Sequence, residues 1–545
     1  MDENNLLEKG EKKIEGVLEV RKNKLKHFFL GWVKDNYDKI FLSILFVAFI
    51  IRIWIFFRTM NQPLWWDEAD YLSAAKRWGL SLNIRDIWYY RRGFLFPLAS
   101  SLFYMVGLGE FGIRLLEILF SVGFILVSYL FIAKIFDKKL ALLSCIGLTF
   151  SWILLFFGGR VLTDVPAAFF ILLSFLLFWN GYVLKKGDKY MYLGLAVFAL
   201  AVLVRMQSLM MAPAFLAIVF PKEKFAMFKN KKLWIAFSIF LVIFIPQVIM
   251  YYNHYGNPIS DIASHYLGLG QKATGTGDQR VISFAILNYI FDLPYVLTNW
   301  MFYLFLIGAV YFFIDLFFGF DKIFKNDELQ KKFFVLFFLL CLFLVMGYVG
   351  SPSYVEQRYL SVGLPFLFLI AVYPLVKLEG ILEKIFKTSK TSSSIIIMAV
   401  LLLLLIPNFN LGNGMIDDKK TSFLEVEQAG MWIKENSNQS DIVISDSLPQ
   451  TTYYSERSTY PFDPGFKNKE FEKYSPDLAG FEKFVKDYKP RFMILSIFAS
   501  SPSWAMDFPQ KNPNLLIPVK VYKQGDKPVL IVYEFDYKNF NPSHA

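Results

Sequence analysis

Phe94-Leu-Phe-Pro-Leu-Ala-Ser-Ser-Leu-Phe-Tyr-Met-Val-Gly-Leu108 is apolar enough to be counted as a bilayer span, and whether it is counted decides the topology of the chain. If it crosses, Lys134, Lys138 and Lys139 fall outside and the segment from Arg160 to Asp164 falls inside, reversing the charge asymmetry that orients membrane proteins. As an interfacial or re-entrant helix it leaves a consistent pattern. Apolar runs at 39–57, 112–133, 140–157, 165–184, 190–204, 208–220, 233–251, 296–318, 333–350, 359–376 and 393–407 then predict about eleven transmembrane helices. Before them comes a charged arm over 1–38, and after them a polar segment over 408–545.

The composition agrees. Of 545 residues, 55% are hydrophobic and 19% charged, and the mean hydropathy is +0.41, which excludes an ordinary soluble protein. A net charge of +11 invites a nucleic-acid reading, but in a membrane protein that excess belongs to the loops and is counted there. Two cysteines, Cys145 and Cys341, and four scattered histidines encode neither a disulfide framework nor a zinc site. The lysine-rich N-terminus runs for some thirty residues before any apolar stretch, unlike a cleavable signal peptide, and reads as a cytoplasmic arm.

With that arm inside, the loops at 134–139, 185–189, 222–232, 322–332 and 377–390 are also inside, and their cations are lysines. The opposite loops carry mostly arginine: Arg58, Arg77, Arg85, Arg91, Arg92, Arg160, Arg205, Arg280 and Arg358, with Lys76 and Lys272 the exceptions. Lysine suffices as a topological charge, whereas the planar guanidinium grips phosphate or carboxylate in a defined geometry. As a set, the outer arginines predict a bound anion, although any one of them alone could simply snorkel or pair with a loop acid.

The first outer loop, 58–111, is long and contains Leu64-Trp-Trp-Asp-Glu-Ala-Asp-Tyr-Leu-Ser-Ala-Ala-Lys-Arg-Trp78, an amphipathic pattern that places Asp67 or Glu68 at a helix start. Carboxylates at a low-dielectric boundary have raised pKa values and can accept a proton from an incoming hydroxyl or amine; capping the helix is the plainer alternative. Gly158-Gly-Arg-Val-Leu-Thr-Asp-Val-Pro166 brings Asp164 and Arg160 to the same side, and so does Tyr354-Val-Glu-Gln-Arg-Tyr-Leu360. Charges at span ends are costly without partners.

Trp-Asp-Glu-Ala-x-Tyr in the first outer loop, Leu-Thr-Asp-x-Pro at the head of the fourth span and Glu-x-Arg-Tyr-Leu followed by Pro365 resemble the GT-C class of polyprenyl-phosphate-sugar-dependent glycosyltransferases. Within that class the chain is similar to the protein O-mannosyltransferases and the lipid A aminoarabinose transferases. The resemblance spans residues 39–407, with the motifs in order on one face. It implies that Asp67 is the catalytic carboxylate, supported by Glu68, with Asp164 a second acid at the cavity. Arg358 would bind the donor phosphate first, with Arg160, Arg205 and Arg92 behind it, while Glu356, Tyr359 and Tyr71 would contact substrate. It implies no catalytic metal and no cofactor.

The expected chemistry is single displacement. Arginines would hold the lipid phosphate, Asp67 would deprotonate the acceptor, and the polyprenyl phosphate would leave with inversion at the anomeric carbon. The partners implied are a dolichyl- or undecaprenyl-phosphate-linked sugar, an extracytoplasmic acceptor (protein, lipid or lipid-linked glycan) and the bilayer, with no nucleic acid. The setting implied is the plasma membrane, with the C-terminal domain outside. No Gly-rich nucleotide loop occurs. Loop 253–294, with its Gly268–Gly277 stretch, is either an acceptor lid or a plain loop.

After residue 407 the pattern predicts a small α/β domain, with helices at 425–434 and 481–488, strands at 441–446 and 491–497, and a hairpin at 517–534 turning at Gln524-Gly-Asp-Lys. Two rivals come from other classes: a transporter or flippase, which would show internal repeats and mid-span charges, and a non-catalytic lipid-binding assembly protein, which would not need Asp67 and Asp164 together.

Overall fold

The computed structural model describes residues 33–257, 285–319, 322–349, 355–385, 389–465, 471 and 473–539. The central part of loop 253–294, including Gly268–Gly277, Lys272 and Arg280, lies outside the described residues, as do most of the N-terminal arm and Tyr354.

In chain order the membrane part comprises α1 (Asn36–Thr59), α2 (Trp66–Leu80), α3 (Leu95–Met105), α4 (Gly109–Ile135), α5 (Lys138–Phe150), α6 (Trp152–Phe157), α7 (Asp164–Phe178), α8 (Asp188–Val204), α9 (Pro213–Glu223) and α10 (Lys231–Tyr255). It continues with α11 (Ala285–Phe291), α12 (Leu293–Leu297), α13 (Asn299–Phe318), α14 (Asp327–Val349), α15 (Leu364–Ile385) and α16 (Lys390–Lys419). Among the described residues eight helices are long and apolar enough to cross a membrane, fewer than the eleven expected. The shortfall has local causes. The run at 140–157 breaks at Ser151, whose backbone is extended between α5 and α6. That at 190–204 forms a helix of only 17 residues, and that at 208–220 is divided between a 3-10 turn, Met206–Met211, and α9 with Pro213 in its first turn.

Phe94–Leu108 yields the eleven-residue α3, roughly 16 Å long and too short to span. α16 runs straight through Pro407 to Lys419, so residue 408 is not a boundary. The neighbouring Asn408 is fully buried and anchors this crossing: its Oδ1 accepts the Trp152 N–H at 3.2 Å, and its Nδ2 donates to the Leu297 carbonyl at 2.7 Å. Packed backbone of this kind is where a membrane helix tolerates proline.

Lysines collect at one end of the bundle. Asp35 caps α1, and Lys138 at the start of α5 bridges Asp35 and Asp38 at 2.7 and 2.6 Å. α2 and α3 lie at the other end, packed on each other and on the tops of α4 and α8.

The C-terminal domain contains α17 (Leu424–Asn436), β1 (Ile442–Ile444), α18 (Leu448–Ser455), β2 (Ser458–Tyr460), α19 (Leu478–Tyr488), β3 (Phe492–Ser496), α20 (Ser503–Lys511), β4 (Leu516–Gln524) and β5 (Lys527–Phe535). The sheet order is β2-β1-β3-β5-β4. β1 pairs in parallel with β2 and β3, while β5 is antiparallel to β3 and β4. The hairpin turns at Gly525, whose φ of +60° suits glycine. Strand β2 and helices α18 and α20 are additions to the predicted elements; each is short, and α18 is packed by its neighbours rather than by an amphipathic stripe of its own.

Candidate active site

Because α2 begins at Trp66, Asp67 and Glu68 occupy its first turn, and one helical step sends them in different directions. Glu68 turns inward and is fully buried. Its Oε1 accepts the Val161 N–H at 2.8 Å, and its Oε2 accepts the Trp65 N–H at 2.7 Å and Arg160 Nη1 at 3.1 Å. Arg160 is also buried; its Nη2 donates to the Lys419 carbonyl at 3.0 Å, and its guanidinium lies 3.8 Å over the Trp65 ring. Glu68 therefore fixes α2 to the neighbouring loop and presents no free oxygen. Arg160 is removed from the expected phosphate-binding set, since both terminal nitrogens are engaged behind the site.

Asp67 turns the other way, toward Arg92 and Arg358. Arg92 Nη2 reaches its Oδ1 and Arg358 Nη2 its Oδ2, both at 2.8 Å. Arg92 also pairs with Asp70 at 3.0 Å, and Arg358 with Glu356 at 3.1 Å. Arg358 stands 4.0 Å from Asp164, which holds Arg205 at 3.2 Å. Thr163 Oγ1 joins Arg205 Nη1 and the Tyr71 hydroxyl, each at 3.1 Å. The Tyr359 ring underlies both Arg205 and Arg358, and Tyr71 underlies Arg92. Arg205, Arg358, Asp164 and Tyr359 line a cavity of about 50 Å³. Thus Asp67, Asp164, Arg92, Arg205, Arg358, Glu356, Tyr71 and Tyr359, predicted from separate parts of the sequence, come together.

Arg92 is placed by its neighbour. A Cβ on Gly93 would sit 2.1 Å from the Leu203 carbonyl oxygen, so only glycine lets the loop lie against the end of α8. The Arg92 carbonyl accepts from Gln247 Nε2 at 3.4 Å, tying it to α10.

The electrostatics reverse one expectation. Burial pushes the Asp67 carboxyl up, but the Arg92 and Arg358 guanidiniums outweigh it and hold the group well below the usual carboxylate range. Glu356 goes the other way: burial raises it, the charges of Asp164 and Asp67 add to the rise, and Arg358 offsets only part.

Several site residues were not anticipated. Asp70 shares Arg92 with Asp67 three residues earlier, a spacing that puts both on one helix face and was readable as such. Below the loop, α4 carries Glu110, Arg114 and Glu117 on one stripe. Arg114 pairs with Glu110 at 2.6 Å and donates to the Gln62 carbonyl at 2.7 Å. Glu117 is fully buried, and neither of its oxygens has a hydrogen-bond partner among the described residues. The signal was charge inside an apolar run. Conversely, Arg58, Arg77, Arg85 and Arg91 serve local contacts: Arg58 pairs with Asp417, Arg77 with Asp86, and Arg85 and Arg91 stack on Tyr460 and Tyr255.

The sequence profile described as dolichyl-phosphate-mannose-protein mannosyltransferase matches residues 91–250, a segment that holds Arg92, Asp164 and Arg205 but ends before Arg358 and begins after Asp67. No curated protein matches the chain by sequence. Solved structures do match in fold. The Archaeoglobus fulgidus oligosaccharyltransferase in the apo form superposes with a TM-score of 0.59 at 11% identity, over 86% of this chain and 70% of that one. ArnT from Cupriavidus metallidurans bound to undecaprenyl phosphate gives 0.58 at 14% identity, over 92% and 98%. The archaeal oligosaccharyltransferase AglB from Archaeoglobus fulgidus, in complex with an inhibitory peptide and a dolichol-phosphate, gives 0.59 at 11%, over 93% and 76%. A bundle of apolar helices, a carboxylate–arginine cluster at one end and a C-terminal α/β domain thus assemble into the GT-C fold of multi-pass membrane glycosyltransferases.

Proposed function

We propose that the protein transfers a sugar from a polyprenyl-phosphate donor to an extracytoplasmic acceptor, with inversion and with Asp67 as the base. The observation that carries this reading is the bridging of Asp67 by Arg92 and Arg358, one carboxylate clamped by two guanidiniums, of which Arg358 lines the cavity. The donor's phosphodiester carries one negative charge, as a carboxylate does, but presents two free oxygens to the guanidinium fork, and its charge grows as the polyprenyl phosphate departs. When it draws Arg358 away, Asp67 loses a cation and gains basicity as the donor arrives. Arg205 and Arg358 then hold the developing charge of the departing phosphate.

A second feature supports a lipid donor. An apolar groove of about 390 Å³ runs between Phe198, Phe215 and Phe237 on α8, α9 and α10. It shares the 3-10 turn Met206–Met211 with the arginine cavity, since Leu209 faces the groove while Ser208 and Met211 line the cavity. An isoprenoid tail in the groove would bring its phosphate to Arg205 and Arg358. The lysine-rich end would face the cytoplasm of a plasma-membrane protein, with the C-terminal domain outside.

Asp67→Asn is expected to abolish transfer while insertion and protein level persist; unchanged transfer would sink the assignment of the base. Arg358→Ala should lose donor affinity without unfolding, and undiminished photo-crosslinking to a polyprenyl-phosphate probe would remove the phosphate role. The acceptor is read by comparing the glycolipids and glycoproteins of a deletion strain with its parent by mass spectrometry.

A further inference from the structure

A second polar cavity, of about 270 Å³, opens at the end of the bundle opposite Asp67. α4 and α7 define that geometry: each begins at the Asp67 end, with Glu110 and Asp164, and reaches this cavity at its other end, with Lys134 and the π-turn Trp179–Val183. Lys134, Lys222 on α9 and Lys331 on α14 line it, against a single carboxylate, Asp327. Lys331 already pairs with Glu328 at 2.6 Å, but among the described residues neither Lys134 nor Lys222 forms an ion pair. Lys186 adds another ammonium beside Lys134.

Trp179 lines the same cavity. The residue is 5% exposed, and its indole N–H has no acceptor among the described residues. A buried donor left unpaired is costly, and π-turns recur at functional positions in helices. Orienting a membrane protein requires lysines on a loop, and any place on that loop serves. It does not require them to converge on one donor-bearing cavity, where like charges repel.

We infer that this cavity is a second anion site, which takes a phosphate group at the lysine-rich face, remote from the Asp67 site. Three ammonium groups and an indole N–H supply donors only, and a phosphate supplies acceptors only. The volume lies just below the roughly 300 Å³ at which small-molecule pockets begin, and suits a headgroup or a free phosphate rather than a large metabolite. Basic pockets between helices on this side of a membrane are built to hold anionic lipid headgroups. The inference is independent of the transferase reading.

The test uses the full-length protein in phosphatidylcholine nanodiscs, with or without added phosphatidylglycerol, and native mass spectrometry to count retained lipid. Wild type should retain phosphatidylglycerol, and Lys134→Gln/Lys222→Gln should lose roughly tenfold or more of that affinity. Lys134→Arg/Lys222→Arg should keep it, and so should Lys189→Gln/Lys231→Gln, which removes the same charge elsewhere on the face. Asp327→Asn should bind severalfold more tightly, a gain that a purely structural lysine cluster would not give. In a second arm, inorganic phosphate without anionic lipid should raise the apparent Tm only if the natural ligand is soluble; a rise that vanishes in the glutamine pair supports the site with that source. Lipid retention and phosphate response identical in wild type, the glutamine pair and Asp327→Asn would overturn the inference. Should the glutamine pair fail to fold, Lys222→Gln alone, at an exposed position, must still weaken binding.

Discussion

Asp67 is a weak base for an electrostatic reason, and the same reason makes its basicity adjustable. With both oxygens bound by guanidiniums, the free protein holds it ionised well into acid. Removing a cation raises a carboxyl's pKa, so donor phosphate that draws Arg358 away should move the Asp67 titration upward. The expected outcome is an acid limb of kcat at higher pH than that of kcat/KM, because the former reports the donor complex and the latter the free enzyme. Arg92→Gln should shift both limbs to higher pH; coincident limbs in the two profiles would discard the coupling. At this scale the sequence was legible where charge met an apolar boundary, which exposed Asp67, Asp164, Glu356 and Arg358. At Glu117 the charge within an apolar run was the signal, and the sequence was opaque where the role depends on which way a side chain turns, as with Glu68 and Arg160.

Helix α2 depends on Glu68 for its position. Three donors converge on this buried carboxylate, and one of them, Arg160, is itself buried. Glu68→Ala strands that guanidinium, and removing one partner of a buried pair costs about 3–5 kcal/mol. The apparent Tm in detergent should fall by several degrees for Glu68→Ala and hold near wild type for Asp67→Asn, although both variants lose transfer. Equal thermal stability of the two would deny Glu68 its bracing role. Hydropathy located most of the long helices because a continuous apolar run has one meaning. It could not reveal the break at Ser151 or the passage of α16 through Pro407, where Asn408 joins segments far apart in sequence by its bonds to Trp152 and Leu297.

Across the whole molecule the C-terminal domain is joined to the site rather than merely appended. The Leu64 N–H donates to the Tyr454 hydroxyl at 2.9 Å, Gln450 Nε2 donates to the Leu64 carbonyl at 3.1 Å, and Ser73 Oγ donates to the Pro449 carbonyl at 3.1 Å. Lys76 pairs with Glu456 at 2.7 Å, and Tyr453 and Tyr454 pack in one apolar cluster with Leu72 and Trp88. A chain ending at residue 423 should insert normally yet lose transfer, with loop 58–111 newly open to protease. A protease pattern matching wild type would separate the domain from the loop. The contacts of α18 on α2 also set an order of assembly. Residues 448–456 leave the ribosome nearly four hundred positions after Asp67, so the loop bearing that carboxylate must wait, unsupported, through the synthesis of the rest of the bundle. Activity should therefore emerge only after the last domain has folded, which keeps a half-made chain from acting early.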